Sequence, residues 1–411
     1  MSFLAKSEQP SSYPNYRIWL DTIYLRSWLA VFLSMSGTFL LLLTLSTVVY
    51  AQTGSAFWSA AVFASQWILA ILSPPAVAWL AQRFQPVMLL AWADFLAAVM
   101  VIAAGLVFPV SLVACLVLLA IHGVLDAINR SLRVLPLKVH VPPEHLKAAV
   151  AYFSTAQYLA FGVGPLVGIL LVDRLTVVEI AALDALSFVA SGCLYLSFRK
   201  LTIGMGGAFS GVAALWRETR AVVAKNALLR RALLYLIVIV SLYQGFHNVA
   251  RSEFAFGYLG MSLDGTMYVQ LVASVGIVAG ALFAGRLSRH VPAYSSALPL
   301  LVATALGCLA IFLPLGTEAM LVLYGVFMAL FEVAFMVCQA EVVAECPLPS
   351  LPAVNAGSFA AMTTGMMLMV FAGAAATDLT SLFAVALGIG ALALVLGLLI
   401  NRRTGMGAEA R

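Results

Sequence analysis

Apolar residues come in long blocks along this chain, and each block is long enough to cross a lipid bilayer. A helix that spans the hydrocarbon core needs roughly 20 apolar residues in succession. Marking off such blocks predicts twelve spans that are separated by short polar or glycine- and proline-containing segments. The predicted spans are 27–50, 56–80, 87–107, 109–131, 149–172, 177–198, 232–256, 266–285, 294–314, 318–340, 353–375 and 380–400. The pattern therefore predicts an all-α membrane protein with twelve transmembrane helices.

The positions of the basic residues select one orientation of these spans. With both termini in the cytoplasm, all of the 22 Lys and Arg residues except Arg174 and Arg251 fall at or near the cytoplasmic side. Such an excess of positive charge on one side is the usual pattern of inner-membrane proteins, and an error of one span would scramble it. We therefore expect an even number of crossings in a bacterial inner (cytoplasmic) membrane, with both termini cytoplasmic.

Composition narrows the class of protein further. Of the 411 residues, 63% are hydrophobic and 9% are charged, against about 25% charged residues in an ordinary soluble domain. This balance excludes a soluble enzyme and a nucleic-acid-binding domain. The chain has no P-loop, no ordered catalytic triad and no zinc-ligand spacing, so we expect no enzyme activity, no cofactor and no bound metal.

The predicted spans divide into two halves of nearly equal length. We expect six-helix bundles at 27–198 and 232–400, a basic cytosolic linker at 199–231, and cytosolic tails at 1–26 and 401–411. Two pseudo-symmetric halves are a feature of secondary transporters, whose binding site lies at mid-membrane between the halves. The division therefore predicts a small-molecule transporter.

The linker carries seven basic residues and one acidic residue, Glu218. Its glycines break helicity, after which 208–224 can form an amphipathic helix. We expect this helix to lie near anionic lipid headgroups; a calmodulin-type or nucleic-acid site is the weaker alternative.

Short motifs in the first half resemble a known transporter family. The motifs are Tyr50-Ala51-Gln52-Thr53-Gly54-Ser55-Ala56, Ser73-Pro74, Ala81-Gln82-Arg83-Phe84, Gly164-Pro165-Leu166-Val167-Gly168 and Asp184-Ala185-Leu186-Ser187-Phe188. In this order they resemble the major facilitator superfamily, and within it the drug and siderophore exporters that include the enterobactin and macrolide efflux proteins. The resemblance covers about residues 26–200 and implies the major facilitator fold, alternating access and proton-coupled export.

The resemblance also implies gating and structural positions. The loop after the second span keeps the family's Arg83 but has Gln82 in place of the usual aspartate, so we expect a gate that differs from that of the family. Asp94 in the third span fits a gate or a lock between helices, and Asp184 in the sixth span matches a structural position.

Gly164, Pro165 and Gly168 match the end of the antiporter motif in the fifth span. Glycines permit close helix contact and proline kinks a helix. Simple packing and a role in the direction of transport both remain open for these three residues.

Polar residues form a stripe on the fourth span. His122, Asp126, Asn129 and Arg133 fall within about 60° on a helical wheel, with Arg130 beside them. Ionisable groups are costly in hydrocarbon, so this stripe must face another helix or a water-filled cavity. We expect His122 and Asp126 to form a hydrogen-bonded pair that binds substrate or a proton, or else a static lock between helices. Asn129 is a further substrate-binding candidate, and the two arginines could be topology anchors.

A second polar stripe lies on the seventh span. Gln244, His247, Asn248 and Arg251 fall within about 100° on the wheel. These donor-rich side chains could bind carboxylates or other anionic groups of a substrate. Alternatively, Arg251 could lie near the outer surface and pair with Glu253.

The tenth span carries one acidic residue, Glu332, among apolar neighbours, with Gln339 seven residues further on. A lone carboxyl group at mid-membrane can alternate between its neutral and charged forms. Glu332 is therefore the first choice for proton coupling, with His122 and Asp126 as further candidates. A salt bridge to a cation of the fourth or seventh span, or a substrate contact, is the alternative role for Glu332. Gln339 is a substrate-binding candidate because it lies on the same helix face.

These observations predict a secondary active transporter, acting as a monomer, whose partners are a small-molecule substrate, protons and the lipid bilayer. The leading hypothesis is proton-coupled export of a siderophore, metallophore or amphipathic drug-like molecule. Uptake of a metal chelate or another small solute by the same fold is the alternative. A membrane receptor or lipid-modifying enzyme would be a third class, but no catalytic constellation supports it.

Overall fold

The architecture comes from a computed structural model. The ranges that it describes are 17–203, 212–287, 293–347 and 351–405. Most of the predicted N-terminal tail, residues 204–211 of the predicted linker, and the end of the C-terminal tail from 406 lie outside the described residues. The described linker residues include a helix at Val212–Lys225, close to the predicted amphipathic segment.

Nearly all of the described chain is helical. The earlier helices are α1 (Thr22–Thr53), α2 (Ala56–Ala70), α3 (Pro74–Arg83), α4 (Pro86–Val107), α5 (Leu112–Leu132), α6 (Leu135–His140), α7 (Pro143–Leu171) and α8 (Val177–Ser197). The later helices are α9 (Val212–Lys225), α10 (Ala227–Ile239), α11 (Gly245–Glu253), α12 (Gly265–Leu287), α13 (Ala293–Ala310), α14 (Thr317–Glu345), α15 (Leu351–Leu379) and α16 (Leu382–Gly405).

These helices account for the predicted crossings of the membrane. Within the described ranges, 9 helical segments are long and apolar enough to span a bilayer, and three shorter apolar helices lie at Ala56–Ala70, Thr155–Leu171 and Ser296–Ala310. Together they make twelve alternating crossings at the predicted places. The prediction of an all-α membrane protein built from two six-helix bundles is confirmed.

Two spans depart from a simple straight helix. The second span breaks between Ala70 and Pro74 into α2 and α3, because two successive prolines lack N–H donors and disfavour helix in the residue before them. The seventh span begins at Ala227 rather than at 232, since Asn226 caps it by accepting a hydrogen bond from the Leu229 N–H. This span also contains π-helical turns at Val240–Gln244 and Phe254–Tyr258.

The same neighbours recur in the two halves. In the first half α1 packs on α7 and α8, and α2 packs on α5; in the second, α10 and α11 pack on α15, and α12 packs on α14. Glycines allow equivalent close helix contacts in the two halves. A Cβ atom added at Gly123 of α5 would clash with α2, because it would lie 1.9 Å from the Gln66 carbonyl oxygen. A Cβ at Gly276 of α12 would lie 2.2 Å from the Gly325 carbonyl oxygen of α14.

The bundle has two distinct ends. We call the end that holds α9 and the start of α1 the linker end, and the opposite end, where α1 stops at Thr53, the far end. At the far end Gly54 adopts a left-handed conformation with φ of 63°, and Ser55 then caps α2. The Thr53-Gly54-Ser55-Ala56 motif is therefore a helix stop followed directly by a helix start.

Candidate functional site

A cavity of about 430 Å³ lies between the two halves and is lined by both of them. Its first-half wall comes from α1, α2, α4, α5, α7 and α8. Its second-half wall comes from the seventh span, α12, α14 and α15. The sequence-predicted residues on these walls are Asp94, Asp126, Asn129, Gln244, His247, Asn248, Arg251 and Glu332.

The charged residues of the first-half wall have partners. Asp126 and Arg130, one turn apart on α5, form an ion pair of 2.5 Å. Arg133 donates a hydrogen bond of 2.7 Å to the Gln157 side-chain oxygen of α7. Both arginines line the cavity, so they contribute to its surface whether or not they also anchor the helix at the linker end.

Asp94 joins three helices of the first half. Its carboxylate accepts hydrogen bonds from the Asn129 amide of α5 at 2.6 Å and from the Ser191 hydroxyl of α8 at 2.5 Å. The side chain is buried and lines the cavity. This geometry is that of a lock between helices within one half.

The predicted pair of His122 with Asp126 is wrong. His122 is fully buried outside the cavity lining, where Nδ1 accepts a hydrogen bond of 3.1 Å from the Gln66 amide. Its ring lies edge-on to Phe188. Asp126 instead pairs with Arg130, which is also one turn away on α5 and carries a permanent charge.

A connected polar network forms the second-half wall. The Gln270 side-chain oxygen of α12 lies 3.2 Å from His247 Nε2 and 3.0 Å from Arg251 Nη1. His247 Nδ1 lies 2.8 Å from the Tyr324 hydroxyl of α14, and Arg251 Nη2 donates to the Asn248 side-chain oxygen at 2.9 Å. A neutral His247 satisfies this network if Nε2 donates to Gln270 and Nδ1 accepts from Tyr324.

Arg251 is buried without a counter-ion. Its side chain is only 2% exposed, and within the described ranges no carboxylate lies within ion-pair distance. Its guanidinium carbon lies 3.5 Å from the centre of the Phe63 ring of α2. The alternative pairing with Glu253 is wrong, because Glu253 accepts a hydrogen bond from the Tyr50 hydroxyl across the two halves.

Glu332 is also buried without a polar partner. It is 5% exposed and lines the cavity, and in the part of the chain that the structure describes it makes no hydrogen bond or ion pair. Its Cβ packs against Gly280 of α12, and Phe331 and Phe335 line the same wall. Gln339 is not among the lining residues, because seven residues along a helix shift a side chain by roughly 10 Å.

The far end is closed by polar contacts between the halves. The Asp378 carboxylate at the end of α15 accepts hydrogen bonds from the Ser55 hydroxyl at 2.6 Å and from the Ala56 and Phe57 N–H groups at 2.7 and 3.2 Å. The hydroxyls of Ser46, Ser59 and Ser252 join α1, α2 and α11 at 2.8 to 3.2 Å. We call these contacts, with Tyr50–Glu253, the far-end seal.

The cavity extends away from the far-end seal. Arg130 and Arg133, which line it, lie in and just after the last turn of α5, at the linker end. The structure therefore shows a conformation closed at the far end whose cavity reaches toward the linker end.

The remaining gating candidates lie in helix contacts. A Cβ at Gly164 would lie 2.8 Å from Phe39 of α1, and one at Gly168 would lie 2.8 Å from the Met267 sulfur of α12, in the other half. Pro165 lies between them inside α7, which stays helical through it.

Asp184 is fully buried where α8 meets α1, against Gly37, and does not line the cavity. Its carboxylate accepts a hydrogen bond from Ser187 at 3.3 Å. Arg83 is exposed at the end of α3, at the linker end.

Several lining residues were not singled out from the sequence. They are Gln66, Gln157, Gln270 and the aromatic residues Phe63, Trp67, Tyr158, Phe161 and Phe331. A single polar residue on an apolar helix, such as Gln66 or Gln270, was the available signal. The aromatic residues carried none, because they are equally common on faces that pack or meet lipid.

Twelve alternating helices in two repeated halves, around a cavity that both halves line, define a membrane transporter rather than an enzyme. The family model of the Major Facilitator Superfamily matches residues 27–345. The chain therefore belongs to the major facilitator superfamily.

Solved structures agree on the fold. The nucleoside transporter NupG, in a mutant form, matches with a TM-score of 0.75 at 15% identity, covering 92% of this chain and 98% of that one. A POT family transporter in complex with 5-aminolevulinic acid matches with a TM-score of 0.72 at 12% identity, over 93% and 96%. A bacterial homologue of the iron transporter ferroportin in an inward-facing state matches with a TM-score of 0.65 at 16% identity, over 92% and 98%. No curated protein matches the sequence.

Proposed function

We propose that this chain is a proton-coupled exporter of a small amphipathic molecule, of the siderophore, metallophore or drug-like type, working by alternating access. One observation carries the transport mechanism: Glu332 and Arg251 are both buried in the cavity that the two halves share, and neither has a charged partner among the described residues. A carboxyl group in such a place can exchange a proton as the cavity opens to one side and then to the other.

The sidedness of the mechanism follows from the basic residues. The linker end holds Arg133, Arg199 and Arg217, and the positive-inside rule supports a cytoplasmic position for this end in a bacterial inner membrane. The described conformation then receives cargo from the cytoplasm, and breaking the far-end seal would release it outside. The halves 27–198 and 232–400 would rock about the cavity as units.

Export is favoured over uptake by the motifs of the first half, which resemble the drug and siderophore exporters. The proposal also includes transport as a monomer and proton exchange at Glu332, with His247, Asn248 and Gln244 contacting cargo on the second-half wall. Asp126 and Asn129 would contact it on the opposite wall.

Uptake by proton symport is the second candidate. It is favoured by the presence of Arg251 and Glu332 in the same cavity. If an anionic cargo bound Arg251, its charge would favour a proton on Glu332 in the same cavity. Cargo and proton would then move in the same direction. Export by exchange instead requires the cargo to compete with the proton for Glu332.

Untargeted mass spectrometry of cells and medium, with and without the gene, tests the direction and identifies the cargo. An exporter's loss raises the cargo inside the cells and lowers it in the medium, and the wild-type gene restores both. The reverse change would show uptake and overturn export. No change in any small molecule, under conditions in which the gene is expressed, would contradict transport of a cellular metabolite.

A further inference from the structure

Arg251 differs from both other arginines of the cavity wall, because Arg130 has a carboxylate partner and Arg133, whose partners Gln157 and Met35 are neutral, is partly exposed. Arg130 has a carboxylate partner at 2.5 Å. Among the residues that the structure describes, Arg251 has only neutral partners, namely the side-chain oxygens of Gln270 and Asn248 and the face of the Phe63 ring. A guanidinium has five N–H donors, and the buried Arg251 Nε has no partner among the described side chains.

A buried cation without a counter-ion is costly in a low-dielectric environment, and removing it from water is repaid only by a partner of opposite charge. The hydrogen bonds to Gln270 and Asn248 fix the orientation of the guanidinium, and the Phe63 ring stabilises its charge in part, but no negative charge among the described residues neutralises it. Since Arg251 lines the cavity, an anionic group entering from the cavity would supply the missing charge and accept the free donors.

The remainder of the neighbouring wall defines what is attached to that anionic group. Phe63, Trp67, Phe331 and Met366 line the same cavity, and these side chains favour aromatic or other apolar groups. We propose that Arg251 is the cargo anchor, and that the cargo is a small amphipathic anion whose carboxylate pairs with Arg251 while its apolar body lies against the aromatic wall. This rests on the proposed function only in that the cavity is the cargo site, and it applies to export and to uptake alike.

Binding of a matched set of probes to the purified full-length protein in lipid nanodiscs tests the proposal. The probes are 2-naphthoate, 2-naphthamide and 2-naphthylmethylammonium, which share one ring system and differ in charge. Equilibrium dialysis measures the three dissociation constants. We expect the wild type to bind 2-naphthoate about tenfold or more tightly than 2-naphthamide, the scale of one charge-assisted hydrogen bond. Equal binding of the carboxylate and the amide would overturn the proposal.

Two variants test whether Arg251 causes the preference for the carboxylate over the amide. Arg251→Gln should bind the carboxylate and the amide equally, whereas Arg251→Lys, which keeps the charge, should retain part of the preference. Arg174→Gln, which removes an exposed arginine outside the cavity, is the matched control and should bind as the wild type does. A carboxylate preference that survives in Arg251→Gln would place the anion elsewhere and refute the assignment.

Folding of each variant is checked by its thermal unfolding midpoint. If Arg251→Gln does not fold, the comparison of Arg251→Lys with wild type still decides: a lysine cannot bind a carboxylate through two parallel N–H groups, so the preference should fall. An unchanged preference in that variant would count against Arg251 as the anchor.

The binding assay needs no membrane potential, pH gradient or direction of transport. A failure of export therefore leaves the anion assignment intact if the wild type prefers the carboxylate. Conversely, proton-coupled export of a neutral or cationic cargo, together with no carboxylate preference, would retain the proposed function and remove this inference alone.

Discussion

The two walls of the central cavity treat their charges differently. On the first-half wall, Asp126 pairs with Arg130 and Asp94 accepts two hydrogen bonds. On the second-half wall, Arg251 and Glu332 are more deeply buried than the Asp126–Arg130 pair and have no partner of opposite charge among the described residues. Paired charges stabilise a fixed arrangement, whereas unpaired buried charges are tolerated where a ligand or proton supplies the missing partner. The second half is therefore the expected place for cargo binding and proton coupling.

The largest expected effect comes from removing the unpaired acid. Glu332→Gln should abolish the accumulation of cargo that a pH gradient drives in proteoliposomes, because a glutamine side chain does not bind and release protons as a carboxyl group does. Exchange of labelled for unlabelled cargo should persist, since the cavity itself remains. The assay uses the cargo identified by mass spectrometry.

Glu318→Gln is the matched control for this variant, because Glu318 is exposed in the first turn of the same helix. It should transport as the wild type does. Full proton dependence in Glu332→Gln would mean that another group carries the proton, and the contrast between the two walls would lose its functional meaning.

The next effect concerns the far-end seal, which holds the walls together. Asp378→Asn removes the negative charge that accepts hydrogen bonds from the start of α2. If the closed conformation is thereby destabilised by about 1 kcal/mol, the population that is open at the far end should rise about fivefold. The reactivity of Ala60→Cys, at a buried α2 position packed with second-half residues, toward a membrane-impermeant maleimide added at the far end should rise by that factor. A Cys193→Ser background removes the exposed native thiol, and the other described cysteines are buried.

Asp264→Asn provides the control for the seal. Asp264 also lies in a far-end loop but accepts its hydrogen bond from Ser262 in the same half. Its replacement should leave the Ala60→Cys reactivity unchanged. If the introduced cysteine reacted equally fast with and without Asp378→Asn, Asp378 would not hold the two halves together.

A smaller effect is expected on the paired wall. Asp126→Asn and Arg130→Gln each leave a charge without its partner, whereas the double variant removes both. Since the pair is partly exposed to the cavity, the coupling energy should be about 0.5–1 kcal/mol. Unfolding midpoints and transport rates of the wild type, the two single variants and the double variant complete a double-mutant cycle. Strictly additive effects would show that the pair contributes nothing and would weaken the comparison of the walls.

The smallest effect is expected from a polar residue beyond both walls. Gln339→Ala should change transport by less than about twofold, because surface or peripheral substitutions away from buried networks have small effects. Gln270→Ala, at the centre of the second-half network, is the contrasting variant and should reduce transport strongly. If Gln339→Ala proved as harmful as Gln270→Ala, the cavity would have to extend further along α14.

The sequence predicted the spans well because the bilayer imposes length and hydropathy on each one. It also placed Gln244, His247, Asn248 and Arg251 on one face, and the structure finds all four on the cavity wall. The predicted span 56–80 does not include the break before Pro74, although the two successive prolines are visible in the sequence. The π-helical turns that flank α11 have no such local signature.

The partners of the polar residues could not be predicted, because they are distant in sequence. His247 contacts Tyr324, which is 77 residues away, and Arg251 stacks on Phe63 of the other half. The wheel showed that His122 and Asp126 share a face of α5, but not that Gln66 reaches His122 and that Arg130 takes Asp126. Competition among neighbouring partners is settled only by the packing of α2 on α5.

The central claim is that one cavity, lined by both halves, is the cargo site. Cysteine protection tests it most directly, with Ser34→Cys on the α1 wall and Met362→Cys on the α15 wall, both of which line the cavity, in the Cys193→Ser background. Labelling by a small maleimide is measured with and without the cargo identified by mass spectrometry. We expect saturating cargo to slow labelling at both positions alike. Protection at only one position, or at neither, would contradict a cargo site shared by the two halves.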